Sequence, residues 1–285
     1  MPIDRRAFMA QLGTAVMGAA WGLQPAADQP QKRLERFGIE IGPLFPELAN
    51  DLDGTLAKLA AMGYTEVEPL WYLGTFGKSP RQWRAALARA GLRAPSTLVL
   101  PGAFTVGWKR HLGVAREMGF EYVSCVYVGT DGAQSLDDWR EWADLFNRAG
   151  KLAREAGIWL AFHNEPPYMT PLEGRIPYDL FLERTDPDLV RLELDLGNMV
   201  RAGHDPVKYL TRHPDRYWLF HLKDIPRPPR QDEVELGTGR VDFRHILPHV
   251  RDPERKHFFV EFVTRPSSPM EVMQRCAHYL TELRF

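Results

Sequence analysis

Short segments rich in β-branched and aromatic residues alternate with amphipathic helical segments along most of this chain. A repeated strand–helix–strand order predicts a parallel sheet, because each helix returns the chain to the end where the next strand begins. Eight segments have the character of strands. They are Phe37–Ile41, Thr65–Leu70, Arg93–Val99, Tyr122–Val128, Ile158–His163, Val190–Asp195, Tyr217–Leu222 and His257–Val263.

Glycine follows the helical segments that separate these strands. The segment Leu52–Met62 precedes Gly63, and Leu136–Ala156 precedes Gly157. Glycine adopts the left-handed conformation that ends a helix and turns the chain toward the next strand. Eight strand–helix units in a chain of 285 residues favour an α/β fold, a closed (β/α)8 or TIM barrel, as a single domain. We expect this domain to span residues 36–285.

An open nucleotide-binding sheet is the other fold with this alternation. No glycine-rich phosphate-binding loop follows a strand candidate, which argues against it.

The chain carries 36 Lys and Arg against 37 Asp and Glu, so its charge gives no reason to expect nucleic acid as a partner. A homo-oligomer remains possible.

The first thirty residues differ in character from the rest. Arg5 and Arg6 precede an apolar run of small residues from Ala7 to Leu23. This order predicts an export signal of the twin-arginine type over residues 1–30 and therefore a periplasmic or otherwise exported protein. No stable membrane insertion is expected after processing. An uncleaved anchor and a disordered or loosely helical N-terminus are the alternatives.

Titratable residues collect where the later strands end. Because the active site of a TIM barrel lies at the carboxyl ends of its strands, we expect these groups to share one rim. Successive strand residues point to opposite faces, so members two apart share a face. The groups are His163 and Glu165 after strand five, Glu193 and Asp195 in strand six, His221 and Lys223 in strand seven, and Glu261 after strand eight.

One divalent metal held by Glu, Asp, His and Glu would satisfy this collection of buried polar groups. Such mixed ligands suit Mn, Co, Zn, Mg or Fe without choosing among them. Each residue alone has a simpler interpretation: His221 as a hydrogen-bonded structural residue, Glu193 as a solvent-facing residue, and Glu261 as the cap of a neighbouring helix or a partner of Arg265. The metal site is predicted from the set.

Several short motifs in a fixed order carry a resemblance to a known family. They are Val67-Glu68, Leu194-Asp195-Leu196, His221-Leu222-Lys223-Asp224, Gly237-Thr238-Gly239 and Phe259-Val260-Glu261. From about Phe37 to Leu283 the chain resembles the sugar phosphate isomerase/epimerase family of xylose-isomerase-like TIM barrels. The branch that contains inosose dehydratases is the most similar one.

The resemblance implies one divalent metal bound by residues of strands five to eight. Asp195, His221 and Glu261 match the expected ligands. Strand five departs from the family pattern, because Tyr168 stands where a Glu is usual. We predict that Glu165 supplies the fourth ligand, with His163 as the alternative.

The resemblance also implies an isomerase or epimerase that removes a proton next to a carbonyl. Glu165 and Glu261 are then the candidate catalytic carboxylates. The residues expected to bind substrate are Glu68, Trp71, His163 and Lys223. Alternatively, Trp71 belongs to barrel packing and Lys223 pairs with Asp224 at the surface.

The predicted export and the lack of a dense Arg/Lys cluster favour a small carbohydrate without phosphate, namely a neutral sugar, a cyclitol or a keto-glycoside. A lyase or dehydratase that uses the same enolisation is the nearest alternative. Because strand five is altered, a non-catalytic sugar-binding barrel is a further one. The loop Ile225–Gly239 is predicted to lie over the barrel mouth.

Overall fold

Eight parallel strands form the centre of the structure. A computed structural model describes residues 32–71, 74–126, 133–230 and 232–285. The strands lie within the predicted segments and are mostly shorter than predicted. They are β1 Gly38–Glu40, β2 Glu66–Glu68, β3 Ser96–Val99, β4 Tyr122–Cys125, β5 Trp159–His163, β6 Val190–Asp195, β7 Tyr217–Leu222 and β8 His257–Val260.

The sheet closes on itself to form a nearly complete barrel. Hydrogen-bonded neighbours follow the order β2-β1-β8-β7-β6-β5-β4-β3, with every ladder parallel. Two isolated parallel bridges, Glu66 with Arg93 and Leu70 with Leu98, join β2 to the segment around β3. The prediction of a single-domain TIM barrel is confirmed.

Helices connect the strands on the outside of the barrel. The α-helices are α1 Phe45–Asn50, α2 Leu52–Ala61, α3 Pro80–Ala90, α4 Gly102–Thr105, α5 Trp108–Met118, α6 Leu136–Glu155, α7 Pro177–Arg184, α8 Leu196–Arg201, α9 Pro206–Arg212, α10 Phe243–Ile246 and α11 Pro269–Glu282. Short 3-10 segments lie at Gly42–Leu44, Pro166–Met169, Leu247–His249 and Pro253–Arg255.

Helix α3 shows how local sequence sets these bounds. Ser79 and Gln82 form a reciprocal capping box at its start, which satisfies amide groups that the helix itself leaves unpaired. Gly91 ends the helix with a φ of 74°, a left-handed conformation that residues with a Cβ rarely adopt. The chain then turns directly toward β3.

The face of each strand that points into the barrel changes from apolar to polar along the strand. A small cluster of Tyr122, Ala161, Leu219 and Phe259 fills the barrel interior. Because side chains alternate with a period of two, the next inward residues after three of these are His163, His221 and Glu261. An apolar layer therefore supports a polar layer at the carboxyl ends of the strands.

A separate polar cluster lies at the amino-terminal end of the same strands. Glu66 accepts two hydrogen bonds from the guanidinium of Arg93, and Nδ1 of His257 lies 2.8 Å from its other oxygen. Glu66 is 1% exposed, so its charge is compensated inside the protein. This cluster closes the end of the barrel opposite to the predicted active site.

The loop after β7 folds back onto Asp224. The two carboxylate oxygens of Asp224 accept hydrogen bonds from the backbone amides of Ile225, Gly237, Gly239 and Val241. A Cβ on Gly239 would lie 2.1 Å from Asp224 Oδ1, so the approach requires glycine. The conformation of the loop is therefore fixed from its base.

The predicted export signal at residues 1–30 lies outside the described residues, and so do the last two residues of the predicted strand Tyr122–Val128. Within the described residues, no helix combines the length and apolar character needed to cross a membrane.

Candidate metal centre

Four buried residues from neighbouring strands meet at the carboxyl-terminal end of the barrel. His163 ends β5, Asp195 ends β6, His221 lies in β7 and Glu261 follows β8. Each offers one ligand atom, and these four atoms lie within 4.8 Å of one another. We call these four residues the rim group.

The distances within the rim group are those of atoms that share one small site. Nε2 of His163 lies 3.1 Å from Nδ1 of His221. Nδ1 of His221 also lies 3.1 Å from a carboxylate oxygen of Glu261. Oδ2 of Asp195 is 3.7 Å from Nε2 of His163.

Two carboxylate oxygens of the rim group make no hydrogen bond of regular geometry within the described part of the chain, although the ammonium of Lys223 lies close to both. They are Oδ2 of Asp195 and Oε2 of Glu261, both buried. Incomplete hydrogen bonding of a buried carboxylate oxygen is costly, and coordination of a metal would reduce that cost. Two imidazoles and two carboxylates form a donor set that suits a divalent ion such as Zn, Mn, Fe or Co. The residues present therefore fit a metal.

Lys223 places a positive charge at the same oxygens. Its ammonium nitrogen lies 2.7 Å from Asp195 Oδ2 and 2.8 Å from Glu261 Oε2, and the side chain is 2% exposed. Burial lowers the pKa of Lys223, but the two carboxylates outweigh burial and raise it. Lys223 is therefore charged. The alternative of a surface lysine paired with Asp224 is wrong, because the loop backbone occupies the carboxylate of Asp224.

Glu165 lies beside the rim group and does not belong to it. Its carboxylate is 3.6 Å from Nδ1 of His163, and it accepts a hydrogen bond of 3.1 Å from the amide of Asn198. The structure thus groups His163, which was the alternative fourth ligand, with the three other predicted ligands. Glu165 has a side chain that is 29% exposed, so it can reach a bound small molecule.

The environments of these groups set their protonation. Burial raises the pKa of Glu165 to about 8, helped by Glu261 and Asp195 and opposed by Lys223. Burial, together with the charge of His221, lowers the pKa of His163 to about 3, so His163 is neutral with a free lone pair. For Glu261, burial is outweighed by Lys223 and His221, which lower its pKa well below the usual range.

A second row of carboxylates lies on the other side of His221. Oε2 of Glu68 is 2.7 Å from Nε2 of His221, and Oε1 of Glu193 is 3.1 Å from the same nitrogen. Both carboxylates are 0% exposed. Glu68 therefore lies behind His221 in this structure, although the sequence suggested that it contacts substrate. The solvent-facing interpretation of Glu193 is wrong.

Trp71 packs against two aromatic rings, one from helix α5 and one from the segment that follows it. Its ring is 5.8 Å from that of His111 and 6.3 Å from that of Phe120. It lines a cavity of about 230 Å³ whose wall is mostly apolar and includes Trp83 and Met118. These contacts agree with the alternative interpretation, barrel packing, and the contact of Trp71 with substrate stays a prediction.

Sequence reasoning missed the residues that align the ends of β5 and β6. The side chain of Asn164 accepts a hydrogen bond from the backbone amide of Asp195 and donates one to its carbonyl oxygen. The side chain of Asn198 donates to the carbonyl oxygen of Asn164. Glu40 was also missed, although it places a carboxylate at the carboxyl end of β1, as Glu261 does directly after β8. Burial and Glu261 raise the pKa of Glu40.

Comparison with known proteins agrees with this architecture. Residues 56–283 match the family described as xylose isomerase-like TIM barrel. An inosose dehydratase of Geobacillus kaustophilus (strain HTA426) is 28% identical over 249 residues, which cover 75% of this chain and 77% of that protein.

Two solved structures are similar in fold. A sugar phosphate isomerase/epimerase from Parabacteroides distasonis ATCC 8503 superposes with a TM-score of 0.76 and 25% identity, covering 89% of this chain and 94% of the other. The IOLI protein, solved with a zinc atom, superposes with a TM-score of 0.69 and 15% identity, covering 86% and 96%. The second similarity shows the fold alone.

Proposed function

Because the chain belongs to the xylose isomerase-like TIM barrel family, we propose that it is an enzyme that uses one divalent metal to remove a proton next to a carbonyl in a small carbohydrate. One observation carries the proposal. The rim group brings two buried carboxylates and two imidazoles to one point, with the raised-pKa carboxyl of Glu165 beside them.

His163, Asp195, His221 and Glu261 would hold the metal. A bound divalent ion supplies a Lewis acid that polarises a carbonyl oxygen and increases the acidity of the neighbouring C–H bond. The low pKa of Glu261 suits a permanently ionised ligand. The neutral imidazole of His163 suits a ligand that binds through a lone pair.

Glu165 is the proton carrier in this proposal. A general acid or base works best when its pKa is close to the working pH, and burial raises the pKa of Glu165 to about 8. The hydrogen bond from Asn198 holds the carboxyl at the edge of the rim group, and the partial exposure of the side chain leaves it accessible to a substrate. Of the two predicted catalytic carboxylates, Glu165 has the environment of a proton carrier and Glu261 has that of a ligand.

The proposed substrate is a neutral sugar, a cyclitol or a keto-glycoside. Lys223 is the lysine or arginine that pairs with the rim group among the described residues. Its ammonium is already paired with Asp195 and Glu261. A phosphate group would need a cation that is not already paired. This arrangement supports a substrate without phosphate.

Elimination of water is a second candidate outcome of the same proton abstraction. The inosose dehydratase of Geobacillus kaustophilus supports it. Glu165 could serve both steps, because a carboxylate that has removed a proton can return it to a departing hydroxyl on the same face. An isomerase or epimerase instead returns the proton to carbon.

Elemental analysis of the purified protein, followed by incubation with keto-sugars and inososes in deuterated water, tests the proposal. We expect about one divalent ion per chain and exchange of deuterium at the carbon next to the carbonyl. Retention of substrate mass, apart from deuterium, identifies isomerisation, and loss of one water identifies the dehydratase.

Glu261→Gln should abolish exchange and lower metal content, because it removes an ionised ligand. Glu271→Gln is the matched control, since Glu271 is 71% exposed. A metal-loaded protein that exchanges no deuterium over the whole panel would contradict the enzymatic proposal and favour a binding protein.

A further inference from the structure

The imidazole of His221 connects two groups of side chains through its two nitrogens. Nδ1 faces the rim group, 3.1 Å from His163 Nε2 and 3.1 Å from Glu261 Oε2. Nε2 faces Glu68 at 2.7 Å and Glu193 at 3.1 Å. These two carboxylates come from β2 and β6, so three strands meet at one ring.

The imidazole of His221 is the ion-pair partner that these two carboxyl groups share. Among the ion pairs of the described residues, His221 alone reaches Glu68, and His221 alone reaches Glu193. Both side chains are fully buried, and a buried ionised carboxylate without a partner is destabilising. Glu68 and Glu193 thus share one histidine in the layer directly behind the rim group.

The protonation of the ring follows from its partners. When Glu68 is ionised, it accepts hydrogen bonds and cannot donate them, so the nitrogen of His221 that faces it carries a proton. Against the effect of burial, the surrounding carboxylates raise the pKa of His221, and a metal at Nδ1 would replace the proton on that nitrogen while the proton on Nε2 stays next to Glu68. A metal-binding histidine commonly donates its other N–H to a carboxylate in this way.

We propose that Glu68, supported by Glu193, is a positioning residue that keeps the proton of His221 on Nε2 and so presents Nδ1 to the divalent ion of the rim group. This role rests on the proposed metal-dependent function. Glu68 acts through His221 and touches neither the ion nor the substrate.

The chain contains a matched control for this role. Glu66 lies two residues before Glu68 on β2, is equally buried, and contacts His257 at 2.8 Å. The Glu66–His257 pair lies at the other end of the barrel and is also bonded to Arg93. Glu66→Gln and Glu68→Gln therefore make the same chemical change to two histidine–carboxylate pairs on one strand.

The experiment measures binding of Zn²⁺ to the wild type, Glu68→Gln and Glu66→Gln by competition with a chelator, with circular dichroism as a check on folding. We expect Glu68→Gln to weaken Zn²⁺ binding by about 10- to 100-fold, because a neutral amide is a weaker acceptor for the Nε2 proton. Glu66→Gln should leave Zn²⁺ affinity unchanged, although it too removes a buried charge.

Nitrogen-15 NMR of the histidine rings supplies a second readout. In the Zn²⁺-loaded wild type, His221 should keep a proton on Nε2 that exchanges slowly with water, whereas in Glu68→Gln this proton should exchange faster. If Glu68→Gln does not fold, Glu68→Asp keeps the charge and withdraws it by one methylene, and the same two measurements apply.

Equal Zn²⁺ affinity of the two Gln variants would overturn the positioning role, with the proposed function intact. Two Zn²⁺ ions per wild-type chain, one of them lost in Glu68→Gln, would also overturn it, because Glu68 would then be a ligand. A wild type that binds no divalent ion would overturn the proposed function itself, and the positioning role with it.

Discussion

The ammonium nitrogen of Lys223 lies 2.7 Å from Oδ2 of Asp195, deep enough that the lysine side chain is only 2% exposed. A lysine is buried in this way when acidic partners hold its charge. Here the partners are the oxygens that the rim group offers to a metal. The positive charge of Lys223 and that of an added ion therefore act on the same carboxylates.

Replacement of Lys223 by Met should destabilise the metal-free protein. Asp195 and Glu261 would remain buried without their cation, and loss of one partner of a buried ion pair costs about 3–5 kcal/mol. A divalent ion can compensate for the lost charge, so the increase in melting temperature on adding Zn²⁺ should be larger in Lys223→Met than in the wild type. Lys208→Met, at an exposed position, is the control. Equal increases would show that Lys223 and the ion do not share these carboxylates.

The fourth ligand can be identified by comparing two variants. The grouping of His163 with Asp195, His221 and Glu261 implies that His163→Ala weakens Zn²⁺ binding by about 10-fold or more. Glu165→Gln should retain Zn²⁺ affinity and lose deuterium exchange, because Glu165 carries the proton. Chelator competition and the exchange assay measure the two effects. The reverse pattern would restore Glu165 as the ligand, as the sequence suggested.

The raised pKa of Glu165 predicts a pH dependence of stability. Between its ordinary value of 4.5 and about 8, the folded protein holds a proton on Glu165 that the unfolded chain releases. The free energy of unfolding of the metal-free wild type therefore falls as the pH rises through this interval. Glu165→Gln has no carboxyl group at this position, so its free energy of unfolding does not fall for this reason. Urea denaturation at a series of pH values should show no stability difference below pH 4.5, an increasing advantage of the variant above it, and a plateau above about pH 8.

Asp224 should be essential for the loop that follows β7. Asp224→Ala removes the acceptor of four backbone amides, and a buried donor without a partner costs about 1–3 kcal/mol. We expect a loss of about 3 kcal/mol or more in the free energy of unfolding and faster proteolysis between residues 225 and 241. Asp224→Asn keeps one oxygen acceptor and should lose less. Wild-type stability of Asp224→Ala would contradict this account of the loop.

The strands and their polar ends could be predicted because the evidence for them is local. The bounds Val190–Asp195 and Tyr217–Leu222 agree with the structure, since apolar and charged residues alternate in the first segment and aromatic and aliphatic residues dominate the second. In a parallel barrel the carboxyl ends of neighbouring strands meet, so His221 and Glu261 were placed together correctly. The predicted contacts of Glu68 and Lys223 depended on side chains from distant segments, and the sequence pattern carries no information about these.

The amino-acid sequence by itself determined the barrel, the order of its strands and the residue types at its carboxyl-terminal rim. Periodicity specifies the face of a strand on which a side chain lies, and family motifs specify the order of the strands. The tertiary structure decided which atoms meet. It joined Glu68 to His221 across 153 residues, chose His163 over Glu165 for the rim group, and paired Lys223 with two carboxylates. Those contacts depend on barrel closure and side-chain rotamers, which no local pattern encodes.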